Sequence, residues 1–170
     1  MVRKPARMYR QITGPAYTRR KFMGGVPQPK ITIFEHGLKK PHSHKVFLIS
    51  EESVQVTHSA LESARITANK YLSEACGAQN YYMRVRPYPH QVLREHRQAV
   101  GAGADRVSQG MRHAFGIAVG TAARVYRGQA VLEAWVDEDK VPAAKEAFKR
   151  ARIRLPLKGS RIVVQKADGS

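Results

Sequence analysis

Between Arg94 and Arg127 the chain reads REHRQAVGAGADRVSQGMRHAFGIAVGTAARVYR, and its chemistry is concentrated there. Basic groups punctuate the stretch at His96, Arg97, Arg106, Arg112, His113, Arg124 and Arg127, opposed only by Glu95 and Asp105. Glycines stand at 101, 103, 110, 116 and 120, a density that disfavours a stable helix or a regular ladder. Guanidinium forks bond phosphate oxygens in pairs and stack on flat rings, so this combination suits grasping a polyanion. It does not suit making or breaking bonds. Gly101-Ala-Gly103 lacks the third glycine of a dinucleotide fingerprint, and no Gly-Lys-Ser/Thr phosphate loop occurs. Asp105 beside Arg106 reads as a local ion pair or loop cap rather than a general base. The expectation is no catalytic residue and no cofactor.

Metal chemistry is also disfavoured. Cys76 is the only cysteine, which excludes an intrachain disulfide and finger-type zinc sites. It is expected to pack as a small apolar residue at a helix end. His42 and His44 flank Ser43, but lysines on both sides would repel a cation, so no metal is assigned.

The whole chain shares the character of that stretch. Thirty Lys+Arg against 13 Asp+Glu give +17 over 170 residues and a pI near 10.5. Charge on that scale favours a protein neutralised by a polyanion, with nucleic acid the leading partner. No run approaches the ~18 apolar residues of a membrane span, and no apolar leader follows Met1, so an intracellular, non-membrane protein is expected. Hydrophobic content of 42% and charged content of 25% fit one globular domain over 1–170. Between Met1 and Lys45 eleven basic residues face one acid, and between Arg84 and Arg127 all eight Lys+Arg are arginine.

The elements that must hold these residues can be read in order. Residues 1–30 carry four prolines and little apolar periodicity, so they read as an extended basic arm rather than part of a core. Tyr9, Tyr17 and Phe22 interleave with its arginines and lysines, a mixture suited to phosphate and base contacts. Strands are expected over 30–36, 45–49 and 53–57. A helix follows, opened by a Ser59–Glu62 capping box and closed by Gly77, with Leu61, Ala64, Ala68, Leu72 and Ala75 on its apolar stripe. Arg65 and Lys70 on its other faces are expected to be solvated. Tyr81–Arg86 alternates, placing Arg84 and Arg86 on one face toward the partner. Residues 91–95 lead into the loop 96–116, and 121–126 with 129–136 suggest a hairpin about Arg127-Gly128. An acidic start at 137–139 and the stripe Ala144, Ala147, Phe148 and Ala151 predict a second helix, followed by a strand over 161–165. This order predicts an α+β fold, two helices on a mostly antiparallel sheet.

Several segments in order resemble one family, the large-subunit ribosomal proteins called L-ten-e in archaea and eukaryotes and L-sixteen in bacteria. They include Lys4-Pro-Ala-Arg7, Gly25-Val-Pro27, Ala68-Asn-Lys-Tyr71, Gly101-Ala-Gly-Ala-Asp-Arg106, Gly110-Met-Arg112 and Ala123-Arg-Val125. The resemblance is to archaeal-type members, and the last strand is not followed by the tail of eukaryotic ones. It implies an α/β-hammerhead-like fold and a structural role in the cytoplasmic large ribosomal subunit. Implied partners are large-subunit rRNA, the 5S rRNA region, tRNA in the aminoacyl site near the peptidyl-transferase centre, and neighbouring ribosomal proteins. The loop would point toward that centre.

The expected RNA-binding set is Arg3, Lys4, Arg7, Arg10, Arg19, Arg20 and Lys21 in the arm, Lys39 and Lys40 in a basic turn, and Arg84 and Arg86 on the strand. Arg94, Arg97, Arg106, Arg112, His113, Arg124 and Arg127 complete it. Arg106, Arg112 and Arg124 are the expected phosphate clamps, with Gly101, Gly103, Gly110 and Gly116 as loop hinges. The alternative is a free RNA-binding adaptor or RNA-modification subunit, which charge alone fits equally well.

Overall fold

The computed structural model describes residues 5–96, 99 and 101–167, with the side chains of Ala6, Asp105, Val107 and His113 left aside. Among these residues, eight strands and two long helices appear in the expected order. The strands are β1 (Glu35–Gly37), β2 (His44–Ser50), β3 (Val54–Thr57), β4 (Tyr81–Val85), β5 (Gln91–Glu95), β6 (Ile117–Val125), β7 (Ala130–Val136) and β8 (Ser160–Lys166). The helices are α1 (His58–Cys76), a four-residue α2 (Ala104–Val107) and α3 (Val141–Arg152). Every pairing among them is antiparallel.

The strands form two sheets rather than one. Five are ordered β1-β4-β7-β2-β8, and three are ordered β3-β6-β5. The expected hairpin about Arg127-Gly128 is therefore not formed. β6 ladders with β3, and β7 ladders with β2, so the turn carries the chain from one sheet to the other. Beside it, the Ser50 N–H donates to Gln129 O at 3.0 Å and the Gly128 N–H donates to Ser50 O at 2.7 Å. A turn at Arg127-Gly128 was legible, but its partner strands depend on contacts remote in sequence.

One core holds the larger sheet and both helices. Alternation along β2 and β4 buries Val46, Leu48, Tyr81, Met83 and Val85, as strand geometry requires. Ala60, Ala64 and Ala68 of α1 and Ala144, Ala147 and Ala151 of α3 are buried, letting the helices approach each other closely over the sheet around Phe148. Cys76 is buried at the end of α1, as expected, and burial pushes its thiol pKa up. Ala75, assigned to the apolar stripe, is exposed instead.

The capping box does not form. Helix α1 starts at His58 after Thr57, with no side-chain cap, and Glu62 bonds Arg65 at 2.8 and 2.5 Å. Arg65 is thus held rather than solvated, as the guanidinium is a stronger partner than a free amide. Its bond holds the Glu62 carboxyl below the usual carboxylate range. At Glu52, burial pushes the carboxyl up, but the N–H groups of Lys158 and Gly159 and the Arg10 guanidinium outweigh it and bring it down. Carboxylates depressed in the folded state stabilise above their unfolded pKa of about 4.3, and that stability is lost as pH falls through the folded values. Thermal stability should decline first below about pH 6.5, because burial and the Arg65 cation hold the His36 pKa down so that the unfolded chain takes up the proton first. It should decline further below about pH 4 as the carboxylates protonate. Glu62→Gln should flatten that acid limb, and an unchanged limb would remove Glu62 from the account.

Candidate RNA interface

The smaller sheet organises the arm and the loop. The arm is docked across this sheet rather than standing free of the body. At the β3 edge the Gln55 N–H donates to Arg10 O at 2.8 Å, and the Gln55 side-chain amide donates to Tyr9 O and Gln11 O at 3.0 and 2.7 Å. At the centre Arg124 of β6 donates to the carbonyls of Gly14, Pro15 and Thr13 at 2.8, 3.2 and 3.5 Å. At the β5 edge the Val92 N–H donates to Tyr17 O at 3.0 Å, while Gln91 Oε1 accepts from the Tyr17 N–H at 2.7 Å. Beyond it Met23 is buried against Val92 and Ala118. Proline-rich backbone unable to ladder with itself thus has its carbonyls satisfied by the sheet.

This geometry corrects the role expected of Arg124. It is 7% exposed, and its guanidinium is spent on arm carbonyls. A buried cation aimed at backbone oxygens organises protein rather than clamping phosphate. Arg10, half-buried, likewise pairs with Glu52. Tyr9 and Tyr17, expected to await bases, also turn to the protein. Tyr9 donates to Glu95, and the Tyr17 ring lies 4.1 Å from the Arg94 guanidinium carbon. Phe22 remains 63% exposed, with Lys21 over its ring at 4.9 Å.

The loop closes the β5–β6 hairpin. Glu95 pairs with Ile117, so the strands end where residues 96–116 begin. The loop is more structured than its glycine content suggests. Helix α2 and a 3-10 turn over Gly110–His113 give it local order, and His96 Nε2 lies 3.1 Å from Gly110 O. Gly101, Gly103 and Gly110 have positive φ, backbone that glycine adopts without strain. Gly116 acts differently. A Cβ there would stand 2.8 Å from Glu95 C and 3.0 Å from Glu95 N, so glycine permits close backbone approach at the neck.

The remaining expected residues divide by exposure. Arg7, Arg19, Arg20 and Lys21 of the arm are exposed, as are Lys39, Lys40, Arg106, Arg112 and Arg127. Arg84 and Arg86 are half-exposed and stand at 4.0 and 3.0 Å from Glu133, which is only 3% exposed. Their forks therefore cover a buried carboxylate, and Arg84 also pairs with Glu35 at 3.5 Å. Arg94 lies between Tyr17 and Phe115, whose ring is 4.0 Å from the same guanidinium carbon. Arg3, Lys4 and Arg97 lie outside the described residues, as does the side chain of His113. Sequence reasoning missed Gln55, Gln91 and Glu133. Glutamines within strands were the available signal for the first two.

Such a surface, basic, aromatic and built on a docked arm and a hairpin loop, has the charge and ring faces that a polyanion would need. Among the described residues no three His, Cys, Asp or Glu side chains gather as a metal set, and no helix is long and apolar enough to cross a membrane. Residues 12–162, from the docked arm into the last strand, match the family model described as ribosomal protein L16p/L10e. The chain belongs to the L16p/L10e family of ribosomal proteins. The large ribosomal subunit protein uL16 of Picrophilus torridus is 54% identical over 169 residues, covering 99% of this chain and 96% of that protein. The uL16 of Methanocella arvoryzae is 56% identical over 98% of this chain and 96% of its own length. That of Methanoculleus marisnigri is 49% identical and covers all of both. The L16p/L10e match spans both sheets, the arm from residue 12 onward and the whole loop.

Proposed function

We propose that this protein is a structural constituent of the large ribosomal subunit that binds its rRNA. The body serves as a base from which the arm and the 96–116 loop reach into RNA. The observation that carries this reading is the loop itself, a hairpin extension bearing exposed Arg106 and Arg112 on a chain of +17. Relatives bearing the large-subunit name over nearly the full chain support it. On the same reading the loop lies along the aminoacyl-tRNA site near the peptidyl-transferase centre, the body lies near 5S rRNA and neighbouring ribosomal proteins, and the protein acts in the cytoplasm. RNA carries the chemistry, and the protein positions it.

The test is fractionation with a loop variant alongside. The full chain should remain stoichiometric with large subunits through high-salt sucrose gradients. A free adaptor would dissociate, since screened phosphate contacts weaken steeply with salt. Arg106→Gln with Arg112→Gln should leave the thermal stability of the free chain within about 0.5 kcal/mol, as solvated surface positions do. The same pair should slow tRNA accommodation on reconstituted subunits. Normal accommodation would exclude these arginines from the tRNA site.

A further inference from the structure

The Tyr17–Arg94–Phe115 stack is the feature that the ribosomal reading leaves unused. The Arg94 guanidinium carbon lies 4.1 Å from one ring centroid and 4.0 Å from the other. The same cation sits over both rings. Each ring therefore has one face against the cation and one turned away. Phe115 is 57% exposed and Tyr17 44%. An exposed phenylalanine is costly in water, and here it is held in place by a cation contact rather than tucked into the core.

We propose that the outer face of Phe115 is a stacking site for one unpaired nucleobase of an RNA strand. This rests on the RNA-binding reading above and names the chemistry of one subsite within it. Three observations select a base over an apolar peptide. Arg112 is three residues away and exposed, Arg19 and Arg20 follow Tyr17 closely, and the surface carries a basic excess that suits a phosphate backbone. The Arg94 cation holds the ring in place, so ordering it is not charged against binding. A base has a π-face whatever its identity, so the site tolerates any sequence while requiring the strand to be unpaired there. Arg94 is then a positioning residue. It aims Phe115 from the end of β5, and Tyr17 braces it from the arm.

The experiment uses the full chain and two single-stranded RNA oligonucleotides of equal length, one intact and one abasic at every position, read by anisotropy across a salt series. Phe115→Leu keeps an apolar side chain but no π-face. It should weaken binding of the intact strand roughly tenfold and leave the slope of log K against log salt unchanged. The abasic strand should bind both proteins alike. Phe115→Trp should restore affinity, and its added fluorescence, taken against the Trp135 background, should be quenched by the intact strand only. Equal weakening on intact and abasic strands, or a tryptophan unquenched by both, would overturn the stacking site. The salt slope would then still report phosphate binding, so the ribosomal reading would stand. A chain with no salt-dependent affinity for either strand would instead sink both.

Discussion

Arg124→Met should release the N-terminal arm and cost the free protein about 3 kcal/mol. Hydrogen bonds from a charged donor contribute roughly 1.5–3 kcal/mol each, and Arg124 makes three to Thr13, Gly14 and Pro15. The total falls short of their sum because arm carbonyls let go by the sheet are rehydrated. Methionine fills much of the stem's volume, so the loss reports the guanidinium rather than a cavity. For a chain of this size the melting temperature should drop by roughly 6–12 °C. Trypsin should cut at Arg19, Arg20 or Lys21 well before it cuts elsewhere. If Arg124 were instead a phosphate ligand, the variant would melt like the parent and lose only RNA affinity. Deleting the arm through Lys21 is a harsher version of the same change. It removes the carbonyls to which Arg124, the Gln55 amides and the Val92 N–H donate, so a truncation intended to test RNA binding should also destabilise the body.

That Arg124 serves the arm and that Phe115 meets a cation are matters of distant pairing, which a sequence does not carry locally. Local periodicity located nearly every element, since the burial alternation of β2 and the alanine spacing of α1 and α3 are consequences of burial on one face. Charge totals located the partner class for the same reason. Pairing between distant segments leaves no such local trace. Nothing near Arg127-Gly128 records that β6 belongs with β3, and β7 with β2. Within Ala122–Val125, all buried, an arginine looks like any basic residue of the loop region until the arm is laid across it. Tyr17 and Phe115 are 98 positions apart and meet only because β5 brings Arg94 between them. Arm, strand and loop thus form one unit, visible only once the sheet is assembled.

That unit has a narrow point at Gly116, where Gly116→Ala should disturb the finger more than any substitution at the loop's own arginines. The added Cβ would lie 2.8 Å from Glu95 C and 3.0 Å from its N and O, and backbone cannot step aside as a flexible side chain does. Glu95 is fixed by its register with Ile117, and Arg94 by its register with Ala118 after the irregularity at Leu93. Relief therefore requires opening the last pairs of the hairpin, at a cost of about 1–3 kcal/mol, typical of overpacking. Once they open, Phe115 loses its position over Arg94 and the loop pivots from a different base. Amide exchange should then speed up at residues 94–96 and 116–118, while the core strands β2 and β7 keep their protection. Subunits carrying the variant should accommodate tRNA slowly even though every loop arginine remains. Unchanged exchange at the neck would show that the two strands have room there, and the finger's direction would have to be set farther out, by α2 and the turn after it.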